Sequence, residues 1–441
     1  MGSATASAYR TVKTAEASDL EQQLKVDTCP QPQRSSRTGV ARLYVPMIGL
    51  DPQEKNRRST PMELLYDLTV AVGASTLSSE FTSALLTADG FTPFISFTFF
   101  STFLAMWQSW APYVLFSSSY NVDDVLFRLA TLGQMVGVLL ISNGIHAEFT
   151  GGGYFRVVWG YVIIRVFHIF LFRVRAAIED PLRRFNNLKH AGELLVLQCL
   201  WVLSCYFEPT LETAVAWTVT LATLEFLLPA LFAERNNLVP SPFHPHYSAD
   251  RHGELTLILC GEIIMSISLA TSEALDGGAL NTESVKIAIA GLFLLFMLWW
   301  IYFSTPYGDM LERNPTYRVI YCYIHFPLHA TLVLFSVGID LAARLSGGAD
   351  SLTNANLPNM IVAVAVSALL VFKFLLYVTL VGWNWKSIVS KLVASLSVLL
   401  LASLVGPLVS LGDTLLILCV PLLLLIGFDL VSAAQNKTPF E

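Results

Sequence analysis

From residue 62 onward, apolar runs alternate with short polar breaks along the chain. The runs are about 17–25 residues long, which is the length that an α-helix needs to cross a bilayer. Because only short polar segments separate them, we expect any chemistry to take place in the membrane or at its rim. The pattern predicts an all-α polytopic bundle with twelve spans, at 62–80, 92–116, 125–146, 154–175, 191–207, 212–232, 253–271, 286–304, 318–342, 359–382, 388–409 and 414–433.

Composition supports this fold class and excludes others. Of the 441 residues, 54% are hydrophobic and 14% are charged, whereas soluble domains carry about 25% charged residues. An ordinary soluble enzyme, a nucleic-acid binder and a disordered protein are therefore excluded, and the expected partner is the lipid bilayer. The six cysteines show no paired spacing, so we expect no disulfide framework, and five lie in apolar runs as expected buried thiols.

The polar ends set the expected orientation. Residues 1–59 contain nine Lys/Arg and no long apolar run, which predicts a disordered cytoplasmic tail rather than a signal peptide. The membrane domain is expected at 60–435, with a short cytoplasmic tail at 436–441. Loop 173–190 on the side of the tail carries five Lys/Arg, whereas the loops on the opposite side contain only Arg344. This asymmetry predicts that both termini are cytoplasmic; the type of membrane and the oligomeric state stay open.

A weak internal repeat relates the two halves. Similar residues recur in the same order 191 to 194 positions later, namely Glu63 and Glu254, Trp107 and Trp300, and Gly144 and Gly338. Six spans per half place both halves in one orientation, so the repeat would be parallel. Sites in such folds lie between the halves near the midplane.

Carboxylates inside the spans need an explanation, because each costs about 2.5–3.5 kcal/mol at a helix centre. One hypothesis is a polar cavity in which they bind a cation, relay protons or protonate an apolar substrate. The alternative is pairing with intramembrane bases that lock the bundle, which we favour for Glu225. We expect Glu63, Asp67 and Glu262 to share one cavity as candidate catalytic acids. The candidate cavity residues are Glu63, Tyr66, Asp67, Arg165, His168, Glu225, Arg251, His252, Glu254, Glu262, His325 and His329.

Further polar positions carry weaker signals. Asp124 and Arg128 have i,i+4 spacing before the third span, which predicts a helix cap and a salt bridge at the rim. Gly261 predicts a close helix contact that places Glu262 against a neighbouring helix. The histidines favour polar packing or a proton relay over a metal or haem site, so no cofactor is expected. We expect four tryptophans to anchor the chain at the membrane interface, namely Trp107, Trp110, Trp299 and Trp300.

Four segments together resemble the low-temperature-requirement A (LtrA) family. Residues 60–68 (TPMELLYDL) resemble its "ELFFDLVFV" opening, and Asp124 with Arg128 resembles its "dDpl.R" element. Residues 250–253 (DRHG) with Gly261 and Glu262 are similar to "ERfGLftiIvLGEsi", and residues 300–303 (WIYF) resemble "WWlYFD". The resemblance covers about residues 60–385 and implies a multi-pass membrane protein.

The chain departs from the family pattern at three positions. Asp250 stands where the family has Glu, Glu254 replaces an apolar residue, and Ser304 replaces an acid.

Three functions stay open. The first is a carrier or channel that moves a small solute or ion past the carboxylates. The second is a membrane enzyme that acts on a lipophilic isoprenoid or polyketide-derived substrate by general-acid catalysis. The third is a structural stress-response protein.

Overall fold

Twelve long helices make up most of the described part of the chain. The computed structural model describes residues 43–50, 57–120, 122–152, 154–207, 210–232, 243–275, 281–348 and 350–436. The long helices are α1 (Pro61–Thr87), α2 (Pro93–Ser117), α3 (Val125–Phe149), α4 (Phe155–Glu179), α5 (Arg184–Ser204), α6 (Leu211–Phe232), α7 (Pro245–Leu275), α8 (Thr282–Phe303), α9 (Arg318–Ser346), α10 (Leu357–Val381), α11 (Trp385–Leu404) and α12 (Leu411–Asn436). A short helix, Tyr307–Arg313, joins α8 to α9. Within these segments there is no β-strand, so the all-α prediction is confirmed for them.

Nine of the helices in the described segments are long and apolar enough to cross a membrane. The other three are α1, α2 and α5, which have 27, 25 and 21 residues. They reach the length of about 20 residues that a span requires but are less apolar. Each of the twelve helices coincides with one predicted span, while the number of crossings stays a prediction.

Local sequence signals determine where α1 and α3 begin. Thr60 caps α1, because its side chain accepts from the backbone N–H of Glu63 while the Glu63 carboxylate accepts from the backbone N–H of Thr60. Pro61 occupies the first helical turn, where no backbone donor is required. Asp124 caps α3 by accepting from the backbone N–H of Phe127 at 2.8 Å. The predicted cap at Asp124 is therefore present.

Helix α9 lies at the centre of the bundle, where most of its apolar residues are buried. In the first half of the chain, α1 packs on α2 and α3, and α3 packs on α4. In the second half, α7 packs on α8 and α9, and α9 packs on α10. The two halves meet where α1 contacts both α7 and α9.

Part of the N-terminal tail is ordered against the bundle. Met47 is fully buried, and the backbone N–H groups of Val45 and Gly49 donate to Asp124 at 3.0 Å and to Asp180 at 3.1 Å. Hydrogen bonds and buried apolar contacts thus hold residues 43–50 on the helices, and Arg57 and Ser59 contact Glu63 and Glu254, while the expectation of a largely disordered tail over 1–59 stays a prediction. The expectation for 1–42 and 51–56, and for the tail after residue 436, falls outside the described residues.

The cysteine prediction is partly correct. The five described cysteines are free thiols, and Cys260, Cys322 and Cys419 are buried. Cys199 is exposed on α5 and Cys205 is half-buried after it, so burial is wrong for these two. An apolar helix that packs at the edge of a bundle leaves one face outside the core, and hydropathy alone does not identify that face.

Candidate functional site

Two buried acid–base groups stand out, and the first joins the two halves. The interface cluster comprises Arg57, Glu63, Asp67, Tyr247 and Arg251. The Arg251 guanidinium lies 2.6 Å from the Asp67 carboxylate, and both side chains are fully buried. Glu63 accepts a 2.7 Å hydrogen bond from the Tyr247 hydroxyl and lies 3.7 Å from the Arg57 guanidinium. The cluster therefore binds the first turns of α1 to the start of α7.

Trp110 completes the shell of Asp67. Its indole N–H donates to Asp67 Oδ1 at 2.8 Å, and the ring is fully buried. Trp107 is also buried, and its indole N–H donates to His329 Nδ1 at 3.4 Å. The predicted role of these two tryptophans as interface anchors is wrong, because buried polar groups on α1 and α9 take up their N–H donors. Trp299 and Trp300 do lie at the exposed surface.

Three histidines form a group beside the interface cluster. The ring centroids of His252 and His325 are 4.5 Å apart, and those of His325 and His329 are 5.4 Å apart. The Nδ1 atoms of His252 and His325 lie 2.7 and 2.8 Å from backbone carbonyl oxygens one turn earlier, which leaves Nε2 as the acceptor in each. Among the described residues, no three His, Cys or carboxylate side chains form a group able to hold a metal.

Glu262 lies in a different layer from Asp67. Eleven residues separate it from Arg251 on α7, which is about 16 Å of helical rise, and its half-buried side chain lies beside Ser75 and Ser336. The structure therefore does not bring Glu262 into contact with the Asp67 carboxylate, and the expectation that these two acids share one cavity stays a prediction. The predicted contact at Gly261 is wrong, because a Cβ there would meet no atom within 4 Å.

Tyr66 and His168 are buried, whereas the Glu254 side chain is partly exposed. Glu254 reaches the Arg251 guanidinium at 3.5 Å and accepts from the Ser59 hydroxyl. Tyr66 stacks on Tyr113 with ring centroids 4.4 Å apart. His168 is buried against the rings of Phe116 and Phe172.

The second acid–base group lies within the first half. The gate layer comprises Gln108, Tyr161, Arg165, Trp201 and Glu225. The Glu225 carboxylate accepts from the Tyr161 hydroxyl at 2.8 Å and from the Trp201 indole N–H at 3.2 Å. The Arg165 guanidinium donates to the Tyr161 hydroxyl and lies 3.6 Å from Glu225. Arg165 and Glu225 thus pair as the sequence favoured, but they do so beside open space.

An outer cavity of 430 Å³ borders one face of the gate layer. It opens at the end of the bundle where α2 and α6 begin. Most of its lining is apolar, with Phe94, Phe97, Leu104 and Val158 among the lining residues. Its polar lining residues include Glu148 near the end of α3, which is buried and accepts from the Thr102 hydroxyl at 2.6 Å. The volume is in the range that holds a small organic molecule.

An inner cavity of 160 Å³ borders the other face, at the end where α1 begins. Arg173 and Arg318 are among its lining residues, and His190 and Glu193 also face it. Gln108 and Glu225 line both cavities, so the gate layer is the partition between them. A π-helical segment in α4, His168–Val174, lies between Arg165 and the end of that helix. Such segments often occur at functional sites.

The rim has a different pairing from the one predicted. Asp124 pairs with Arg175 at 2.6 Å, whereas Arg128 pairs with the exposed Asp123 at 2.6 Å. Burial of Asp124 opposes its ionisation, but the hydrogen bonds from Arg175 and from backbone N–H groups outweigh burial and lower the pKa of Asp124. The predicted Asp124–Arg128 bridge is wrong, because the end of α4 brings Arg175 over the cap of α3.

Of the predicted site residues, only Arg165 and Glu225 line either cavity. Sequence reasoning missed Gln108, Glu148 and Tyr161. Glu148 ends an apolar run, so hydropathy placed it in a loop. A buried amide or phenol carries no charge, so it gives no signal in a search for intramembrane ions.

Comparison with known proteins gives one match. No curated protein and no solved structure matches the chain. The family model described as bacterial low temperature requirement A protein (LtrA) matches residues 58–427, which is most of the chain and includes both halves. Together with the apolar helices, this match means that the chain is an integral multi-pass membrane protein and belongs to the LtrA family.

Proposed function

We propose that the protein is a carrier that moves a small solute through its first half, with the gate layer as the internal barrier. The observation that carries the proposal is the pair of cavities on opposite faces of one buried polar layer, which share Gln108 and Glu225. Alternating access needs a site that one or the other face can reach, with a barrier formed by side chains that can separate. The Arg165–Glu225 contact at 3.6 Å is longer than a close ion pair and suits that role.

The proposal includes twelve crossings and a parallel six-plus-six repeat. In the first half, Thr76 on α1 and Ser142 on α3 are joined by a 3.0 Å hydroxyl contact; in the second half, Ser266 on α7 and Ser336 on α9 are joined at 2.9 Å. Ser266 follows Thr76 by 190 positions, and Ser336 follows Ser142 by 194 positions. In the proposed repeat α1 and α3 correspond to α7 and α9, so equivalent helices make equivalent hydroxyl contacts.

The aligned glycines support the same repeat. A Cβ at Gly144 would lie 3.2 Å from the backbone N of Val157 on α4. A Cβ at Gly338 would lie 3.1 Å from the backbone N of Val362 on α10. Both distances are tighter than ordinary contact, so the third helix of each half approaches the fourth through a glycine. With α1, α7 and α9 meeting at the centre, the halves would be related by an axis along the membrane normal.

Cysteine labelling tests the carrier. In a Cys29→Ser/Cys199→Ser/Cys205→Ser background, Ser101→Cys places a thiol in the outer cavity and Leu194→Cys places one in the inner cavity. A membrane-impermeant thiol reagent should label Ser101→Cys from one side of the membrane and Leu194→Cys from the other. Glu225→Gln should weaken the barrier and let reagent from either side reach both thiols.

Leu139→Cys, on an exposed apolar face of α3, is the matched control and should resist labelling from both sides. Labelling of Ser101→Cys and Leu194→Cys from the same side would contradict the carrier, and so would a complete lack of labelling of either thiol.

A second candidate function rests on Glu148. A carboxyl group buried beside an apolar cavity has the surroundings of a general acid, because burial disfavours its charged form. A membrane enzyme would protonate a lipophilic substrate there. Glu148→Gln should then abolish turnover of that substrate by isolated membranes, with Thr102 left to hold the amide. Two-sided labelling that persists in Glu148→Gln would favour the carrier.

A further inference from the structure

The amide of Gln108 faces the path without a partner of its own. Its side chain is 5% exposed, and its Nε2 has no hydrogen-bond partner in the part of the chain that the structure describes. Gln108 lines both cavities, so its side chain borders the space that a solute would occupy, with the unpaired Nε2 just beneath the cavity surface. A buried donor without an acceptor is unfavourable, and a solute oxygen would satisfy it.

The charges of the inner cavity favour a negative solute. Both carboxylates that face it already have cationic partners, since Glu225 lies 3.6 Å from Arg165 and Glu193 lies 3.9 Å from Lys189. Arg173 forms no ion pair within the described segments; it donates to Asn187 at 3.4 Å and lies over the Phe116 ring at 5.0 Å. One positive charge in this cavity is therefore not balanced by a carboxylate in contact with it.

The two features lie at different depths. Arg173 is eight residues beyond Arg165 on α4, about 12 Å of helix, and lies nearer the end of the bundle where α1 begins. Gln108 lies at the partition itself. A cation near the mouth of a low-dielectric cleft raises the local concentration of anions, while the buried amide supplies N–H donors at the inner end.

We propose that the solute is a small monocarboxylate with an apolar body. Its carboxylate accepts hydrogen bonds from Gln108 at the gate layer after attraction by Arg173, and its apolar part packs in the outer cavity against Phe97 and Leu104. This inference rests on the proposed carrier function and adds the chemical class of the solute.

Binding to the purified full-length protein in lipid nanodiscs tests the class of solute. Benzoate, benzamide and benzylammonium are probes of nearly equal size that carry a negative charge, no charge and a positive charge. At neutral pH, millimolar benzoate should raise the unfolding temperature, because a ligand that binds only the folded state stabilises it. Benzamide should have a smaller effect, and benzylammonium should have none.

Gln108→Leu removes the donors without adding charge, and Gln108→Glu replaces them with a carboxylate of the same shape. Both should weaken benzoate binding at least about tenfold, with the larger loss in Gln108→Glu. The matched control is Gln198→Leu, which removes another buried amide without partners that lines neither cavity. Gln198→Leu should leave benzoate binding unchanged, which separates a loss of the site from a loss of folding.

The proposal is overturned if benzylammonium stabilises the protein as well as benzoate does, if benzoate gives no stabilisation, or if Gln108→Leu binds benzoate like the unmodified protein. None of these three results would contradict the proposed carrier function as long as the two cavity thiols are still labelled from opposite sides. Benzoate binding that depends on Gln108, together with same-side labelling, would retain the anion site and reject the carrier.

Discussion

The interface cluster and the gate layer each hold a buried carboxylate against an arginine, yet only the gate layer borders the two cavities. Asp67 and Arg251 are in contact at 2.6 Å with no exposed surface, and neither lines the outer or the inner cavity. Glu225 lies 3.6 Å from Arg165 and faces open space on both sides. Both pairs satisfy their charges, but a solute can approach only the second.

The difference shows what an intramembrane ion pair can do. Where two helices from different halves close around the charges, the pair fixes the position of α1 on α7. Where cavities reach the charges, water and solute can replace the partner, so that separating the pair costs less free energy. The same residue types therefore act as a structural contact in one place and, in our proposal, as a movable barrier in the other.

The largest expected effect is the destabilisation of the interface cluster. Asp67→Asn removes the closest and fully buried counterion of Arg251, leaving only the partly exposed Glu254 at 3.5 Å, and should reduce the free energy of unfolding by about 3–5 kcal/mol. Glu225→Gln should cost less, about 1–3 kcal/mol, because the cavities admit water to Arg165. Membrane abundance and thermal unfolding in detergent measure both. The double variant Asp67→Asn/Arg251→Gln should recover part of the loss; equal stability of the two single variants would break the comparison.

The Asp124–Arg175 pair at the rim should contribute less to the free energy of unfolding than either of the two buried pairs. Asp124→Asn keeps the helix cap, since Asn and Asp cap equally well, but weakens the contact with Arg175 that helps to hold residues 43–50. We expect a loss of about 1–2 kcal/mol, seen as faster chymotrypsin cleavage after Tyr44. The control is Asp123→Asn, whose exposed pair with Arg128 contributes about 0–1 kcal/mol. Equal cleavage rates in the two variants would contradict this ranking.

The sign of the pH dependence at Asp124 follows from its lowered pKa. A group with a lower pKa in the folded state stabilises the fold above its unfolded pKa of about 3.9, and this contribution is lost as pH falls through the folded value. Residues 43–50 should therefore stay protected between about pH 5 and 8 and become sensitive only in stronger acid.

The sequence was sufficient to predict the helices but not the partners of their polar residues. Apolar runs identify helices because each residue contributes to hydropathy independently of the fold. Pairing depends on which faces meet, so Asp124 pairs with Arg175, 51 positions away, rather than with Arg128 one turn along the same helix. Trp107 and Trp110 were predicted at the membrane interface for the same reason, because the sequence does not show that their indole N–H groups have hydrogen-bond partners on α9 and α1.

The smallest expected effect on stability, and the sharpest test of the path, is Glu262→Gln. Glu262 is half-buried and has no ion pair among the described residues, so the amide should change the free energy of unfolding by no more than about 0.5 kcal/mol. Sequence reasoning placed this residue in the functional cavity, and in that case the variant is abundant but inactive. If the path runs through the first half, Glu262→Gln should leave the labelling of Ser101→Cys and Leu194→Cys unchanged and should bind benzoate as tightly as the unmodified protein. Normal abundance with altered labelling or lost benzoate binding would instead place the path at the interface between the halves. Glu262 on α7 lies at that interface, beside Ser75 on α1 and Ser336 on α9.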